Sequence, residues 1–121
     1  MGQFQRMEYM SGKQLTLDEY QVLALRTQSE EGKKDPFLNA LLGIMGELGE
    51  IAEIEKKYRY QGHPKLYNQL KEEAGDLLWY MAVLADSLYL TLGEIAQANI
   101  VKLETRYPDG FDPERSKNRE D

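Results

Sequence analysis

The sequence contains no cysteine and a single histidine. The first absence excludes disulfides, thiolate metal sites and a cysteine nucleophile. The second removes the donors that zinc and copper favour, and the carboxylate di-iron bundles need Glu-x-x-His, a spacing in which His63 does not stand. No apolar run is long enough to cross a bilayer: the longest, Leu77 to Ala85, falls well short of the roughly 20 residues a spanning helix requires. Residues 1–14 lack the apolar core of a signal peptide, and Arg6 stands where a myristoylation signal has Ser or Thr. Positive charge is not in excess either. Fifteen basic residues against 21 acidic ones give a net charge of −6, which argues against a nucleic acid polymer as partner. Individual nucleotides stay open, because a metal ion and a few local cations bind phosphates whatever the net charge. There is no G-x-x-x-x-G-K-[ST] phosphate loop, no internal repeat and no alternating strand pattern. The expectation is a cytoplasmic protein with no membrane contact.

What is present reads as one all-α domain, with 41% apolar residues among 121 to build its core. Thr16-Leu17-Asp18-Glu19 is a capping box that opens a helix running to about Gln28, with Tyr20, Leu23, Ala24 and Thr27 as its packing face. Asp35-Pro36 supplies an N-cap and a first-turn proline for a second helix reaching about Tyr60, and Gly62 marks its end. Pro64 restarts the chain as a third helix over about Lys65 to Leu90. A second capping box, Thr91-Leu92-Gly93-Glu94, opens a fourth that ends near Arg106. The domain spans 15–111, between an N-terminal arm, 1–14, and a charged C-terminal tail, 112–121, expected to be mobile. The second helix carries two apolar stripes, Leu41, Met45, Leu48 and Ala52 on one side and Ile44, Ile51, Ile54 and Tyr58 on another, and the third is apolar nearly all round from Leu77. So small a chain cannot cover all these faces. A homo-oligomer, dimer or tetramer, is expected to complete the bundle.

Two acidic pairs stand out, Glu47 and Glu50 within Gly46-Glu47-Leu48-Gly49-Glu50, and Glu73 and Asp76 within Glu73-Ala74-Gly75-Asp76. Residues i and i+3 share a helix face, so each pair presents two carboxylates together. Glu47 falls inside the Ile44 to Tyr58 stripe and Glu73 inside that of Leu66, Leu70, Leu77, Leu84 and Leu88. A buried carboxylate without a partner is costly and calls for a proton, a cation or a metal. Four such acids between two helices suit a divalent cation, and the all-oxygen donor set favours Mg²⁺, with Mn²⁺ as the alternative, over zinc or copper. Glu53, Glu55 and Glu72 lie near Lys56, Lys57 and Lys71 and read as solvated acids. On the fourth helix, Asn99, Lys102 and Arg106 fall within about 60° of one another and form a phosphate-binding stripe. Lys57, on the Glu50 side two turns on, either reaches phosphate or pairs with Glu53. His63, between Gly62 and Pro64, reads as a turn residue. Trp79, Tyr80 and Phe111 are of a kind that stacks on bases, but read more simply as core.

Together these residues resemble the MazG-like nucleoside triphosphate pyrophosphohydrolases of the all-α NTP pyrophosphatase superfamily. The likeness lies in Gly46-Glu47-Leu48-Gly49-Glu50, Glu73-Ala74-Gly75-Asp76-Leu77-Leu78-Trp79-Tyr80, Asn99 to Leu103 and Arg106-Tyr107-Pro108-Asp109-Gly110-Phe111, and covers roughly 17–111. The resemblance implies a four-helix bundle in which Glu47, Glu50, Glu73 and Asp76 form the catalytic set and coordinate Mg²⁺, while Lys102 and Asn99 help hold the nucleotide. It implies hydrolysis of a nucleoside or deoxynucleoside triphosphate at the α-phosphorus to monophosphate and pyrophosphate. Two alternatives stay open at this point: a non-catalytic helical oligomerisation or binding module with a structural cation, and a relative of the phosphoribosyl-ATP pyrophosphatases.

Overall fold

The computed structural model describes residue 9 and residues 11–119, so most of the 1–14 arm lies outside the described residues. Among them are five α-helices, α1 (Leu17–Leu25), α2 (Pro36–Tyr60), α3 (Tyr67–Ser87), α4 (Leu92–Arg106) and α5 (Pro113–Lys117), with a 3-10 turn at Gly32–Lys34. The chain is all-α, as its periodicity predicts. Both capping boxes form: Thr16 Oγ1 accepts the Glu19 N–H at 3.1 Å, Thr91 Oγ1 accepts that of Glu94 at 3.0 Å, and each glutamate reaches back to its cap. Asp35 Oδ1 takes the Leu38 N–H at 3.1 Å and Pro36 fills the first turn of α2.

Three differences from the sequence reading have local causes. Helix α1 stops at Leu25, short of Gln28, where Thr27 Oγ1 and the Trp79 indole N–H both donate to the Ala24 carbonyl, at 2.8 and 3.0 Å. Helix α3 begins at Tyr67, because Leu66 is held out of helical geometry at ψ 80, and ends at Ser87, because Tyr89 takes a left-handed φ of 60. The third is α5, which forms inside the stretch expected to be a mobile tail: Asp112 Oδ1 accepts the Glu114 N–H at 3.0 Å and Pro113 sits in its first turn. Asp112-Pro113 repeats the signal of Asp35-Pro36, masked in the sequence by the charges around it.

Helices α2 and α3 form an antiparallel hairpin, the most extensive helix contact in the chain. A Cβ on Gly43 would run into the Tyr80 ring, so a glycine is what lets these helices approach there. Helix α1 lies against α3 and α4, and the core is centred where the three meet, on Ala24, Ala82, Ala85 and Leu92 with Tyr20, Trp79, Met81 and Ile95 around them. Gln21 is a buried polar residue whose amide nitrogen and oxygen are both hydrogen-bonded. Its Nε2 donates to the Leu90 carbonyl at 3.1 Å and its Oε1 accepts the Leu92 N–H at 2.7 Å, tying α1 to the turn before α4. Leu42 (62% exposed), Met45 (71%) and Leu48 on α2, and Ile100 and Val101 on α4, stay uncovered within one chain. Among the described residues, no helix is long and apolar enough to cross a membrane.

Candidate active site

The α2–α3 hairpin brings the two acidic pairs together. Carboxylate oxygens of Glu47, Glu73 and Asp76 lie within 4.8 Å of one another, Glu47 and Glu73 half-buried and Asp76 exposed. Glu50 joins them from the exposed rim, its carboxyl close enough to that of Glu73 for each to shift the other. One oxygen of Glu47 and one of Glu73, Oε2 in each case, is buried and has no hydrogen-bond partner. The reason is chemical: two ionised carboxylates facing each other hold only acceptors, and a hydrogen bond between them needs one of them to carry a proton. The Glu73 carboxyl is accordingly raised from its ordinary value, first by the Glu47 carboxyl beside it, then by burial and the charges of Glu47 and Asp76, with the Glu50 hydrogen bond opposing. Glu50 is raised by its hydrogen bond to Glu73 and the charge there, then by burial and Asp76. The groups that shift these acids are acids. A cation among them turns repulsion into attraction, satisfies the orphaned oxygens and meets an all-oxygen donor set, so the residues present fit a hard divalent cation.

The other expected site residues fall into three clefts. Lys57 shares one of about 270 Å³ with Glu50, His63 and Gln69, and its Nζ lies 3.8 Å from Glu53, the ion pair expected of it. Asn99 and Lys102 line a second, of about 480 Å³, with Leu90 and Glu94. Lys102 and Arg106 line a third, of about 700 Å³, with Arg115 and Arg119. Neither cleft on α4 shares a lining residue with the four acids. Glu53 and Glu55 are engaged as solvated ion pairs, Glu53 with Lys56 at 3.0 Å and Glu55 with Arg59 at 2.9 Å and Lys65 at 3.2 Å. Trp79 is spent on structure, its indole N–H shared between Ala24 and Thr27 and its ring set edge-on to Tyr80 at 5.0 Å.

Two residues near the acids do more than their spacing alone implies. Tyr20 stands on the packing face of α1. It does pack against the core, yet its hydroxyl is raised by burial and by the charge of Asp76, which puts α1 within electrostatic reach of the site. His63 is the turn residue expected, its N–H donating to the Lys57 carbonyl at 3.1 Å, and it also lines the cleft that begins at Glu50.

The model of the MazG nucleotide pyrophosphohydrolase domain matches residues 36–111. The chain belongs to the MazG family. The MazG match takes in α2, α3 and α4 and contains all four acids as well as Asn99, Lys102 and Arg106. The chain is also 32% identical over 103 residues to the Gene 37 protein of Mycobacterium phage L5, covering 78% of this chain and 90% of that protein, whose name states no activity. No solved structure gives a significant match. Helix α1 precedes the matched segment, so Tyr20 approaches the MazG acids from outside it.

Proposed function

We propose that this MazG-family protein hydrolyses a nucleoside or deoxynucleoside triphosphate at the α-phosphorus to the monophosphate and pyrophosphate. The observation that carries the reading is the pair of buried oxygens without partners, Glu47 Oε2 and Glu73 Oε2, in a cluster completed by Glu50 and Asp76. Acids placed only for solubility have no reason to hold orphaned oxygens against one another. These four residues would hold Mg²⁺, or Mn²⁺ in its place, which when bound neutralises phosphate charge and acidifies water. Glu47 and Glu73, from facing helices, fix the position of the phosphate group being attacked. Glu50, exposed at the rim and raised in proton affinity by Glu73, is suited to take the proton of the attacking water. Lys102 and Arg106 carry the charge that stabilises departing pyrophosphate, with Asn99 beside them; Lys57 contacts the substrate at the Glu50 end. Since the α4 clefts lie apart from the acids within one chain, and α2 and α4 both expose apolar faces, a homo-oligomer supplies these cations to the site of a neighbouring copy.

Hydrolysis in ¹⁸O-labelled water, with mass analysis of both products, tests the chemistry. Label in the monophosphate, with pyrophosphate released only when Mg²⁺ or Mn²⁺ is present, is the expected outcome. Orthophosphate with diphosphate, or label in the pyrophosphate, refutes attack at the α-phosphorus. No pyrophosphate from any ribo- or deoxynucleotide returns the protein to a binding role.

A further inference from the structure

We infer that the cleft beside Glu50, closed by the α2–α3 turn, receives the nucleoside half of the substrate and that His63 and Gln69 read the base there. The inference rests on the triphosphate chemistry proposed above and fixes which way the substrate lies.

The cleft continues the helix faces that carry the acids. Glu50, Ile54 and Lys57 follow one another on α2 at i, i+4 and i+7, and Gln69 precedes Glu73 by four residues on α3. Lys57 is therefore about 10 Å beyond Glu50 along the helix. The far end is closed by the turn: Gly62, at φ 72, swings the chain back and the His63 N–H docks on the Lys57 carbonyl, which sets the imidazole at the cleft wall. At about 270 Å³ it falls under the roughly 300–1,000 Å³ of sites that enclose a whole drug-sized ligand, so it holds one part of a nucleotide.

Its chemistry decides which part. Glu50 and Glu53 place two carboxylates in the wall against one lysine, and that lysine already lies 3.8 Å from Glu53. A run of phosphates would meet net negative charge here. Ile54, Pro64 and Leu66 instead offer apolar surface to the faces of a flat ring, and His63 and Gln69 offer donors and acceptors to its edge. Lys57 thus belongs to the nucleoside end, and the phosphates run from Glu50 toward Glu47 and Asp76. Both His63 and Gln69 are exposed, so their removal leaves the core intact.

The test uses the full chain with Mg²⁺, titrated calorimetrically with a panel of nucleoside and deoxynucleoside 5′-monophosphates and, separately, with pyrophosphate. For His63→Ala and Gln69→Ala, binding of the monophosphate that wild type prefers should weaken about tenfold or more, and the kcat/KM ranking among bases should flatten. Binding of pyrophosphate and of Mg²⁺ alone should not change. Variants that lose pyrophosphate but keep monophosphate show the substrate lying the other way and overturn the inference. So does wild-type base ranking in both variants, which leaves the proposed activity standing; a wild-type chain that hydrolyses no nucleotide removes both.

Discussion

Glu73 sits where the site's charge balance is decided, with the Glu47 and Glu50 carboxyls both beside it. Its raised carboxyl has a definite sign in stability. A group whose proton affinity is higher folded than unfolded stabilises the fold fully below its unfolded value, here 4.5, and loses that contribution as pH rises through the folded one. Without metal, the wild type therefore loses stability across that window relative to Glu73→Gln. The expected result is a melting-temperature difference between the two proteins that grows as pH rises past 4.5 in chelator, levels off once Glu73 has ionised in the folded protein, and reverses sign in Mg²⁺. Parallel curves in chelator would show that the acids do not repel. The comparison must be between the two proteins, because Glu53 and Glu55 are held below the ordinary range by Lys56 and Arg59 and give both curves the opposite slope. At this scale the sequence was informative where helix geometry alone decides. Spacing of three and an apolar stripe located the four acids. The approach of Tyr20 to Asp76 depends on how α1 crosses α3, and no spacing within one helix encodes that.

Between elements, Gln21 is the residue whose loss is felt most directly. Replacing it with Leu strips a partner from both the Leu90 carbonyl and the Leu92 N–H, and each orphaned group costs about 1–3 kcal/mol. Urea denaturation should show Gln21→Leu destabilised by at least about 2 kcal/mol with an unchanged m-value, and a loss under about 0.5 kcal/mol would mean that water replaces the amide. The helix starts were legible because their signals are local: Thr16, Asp35 and Thr91 each cap the helix they begin. Helix ends were less so. The end of α1 is set in part by Trp79, from a helix 52 residues later, and the end of α3 by a left-handed Tyr89 that no residue preference announces. Helix α5 had its signal in Asp112-Pro113, but a short charged segment gives no apolar stripe to support it.

The whole molecule leaves apolar surface open on α2 and α4, and the cleft lined by Lys102 and Arg106 shares no residue with the acids of the hairpin. If neighbouring copies supply each other's cations, two crippled chains can repair one site between them. Mixing Glu73→Gln with Lys102→Ala, each inactive alone, should restore a measurable fraction of activity, and Leu42→Glu with Met45→Glu should yield a monomer of about 14.0 kDa in light scattering with that activity lost. No recovery on mixing two variants shown to exchange subunits would place the whole site in one chain. The two-stripe pattern of α2 was legible in the sequence as surface in search of a partner; its occupant was not, since apolar spacing says nothing of what covers it. The attachment of α1 carries a kinetic consequence. Helix α1 is synthesised before α3 and α4, yet Gln21 bonds to groups 69 and 71 residues ahead, and the Ala24 carbonyl and Thr27 hydroxyl meet Trp79, 55 and 52 residues ahead. It must wait for the hairpin, which closes through a short turn. Because the chain has a single tryptophan and its indole is bonded to the end of α1, emission is sensitive to this docking as well as to packing against Tyr80; the expected result is refolding by emission slower than by helical circular dichroism, and coincident rates would show α1 docking in the same step as the hairpin.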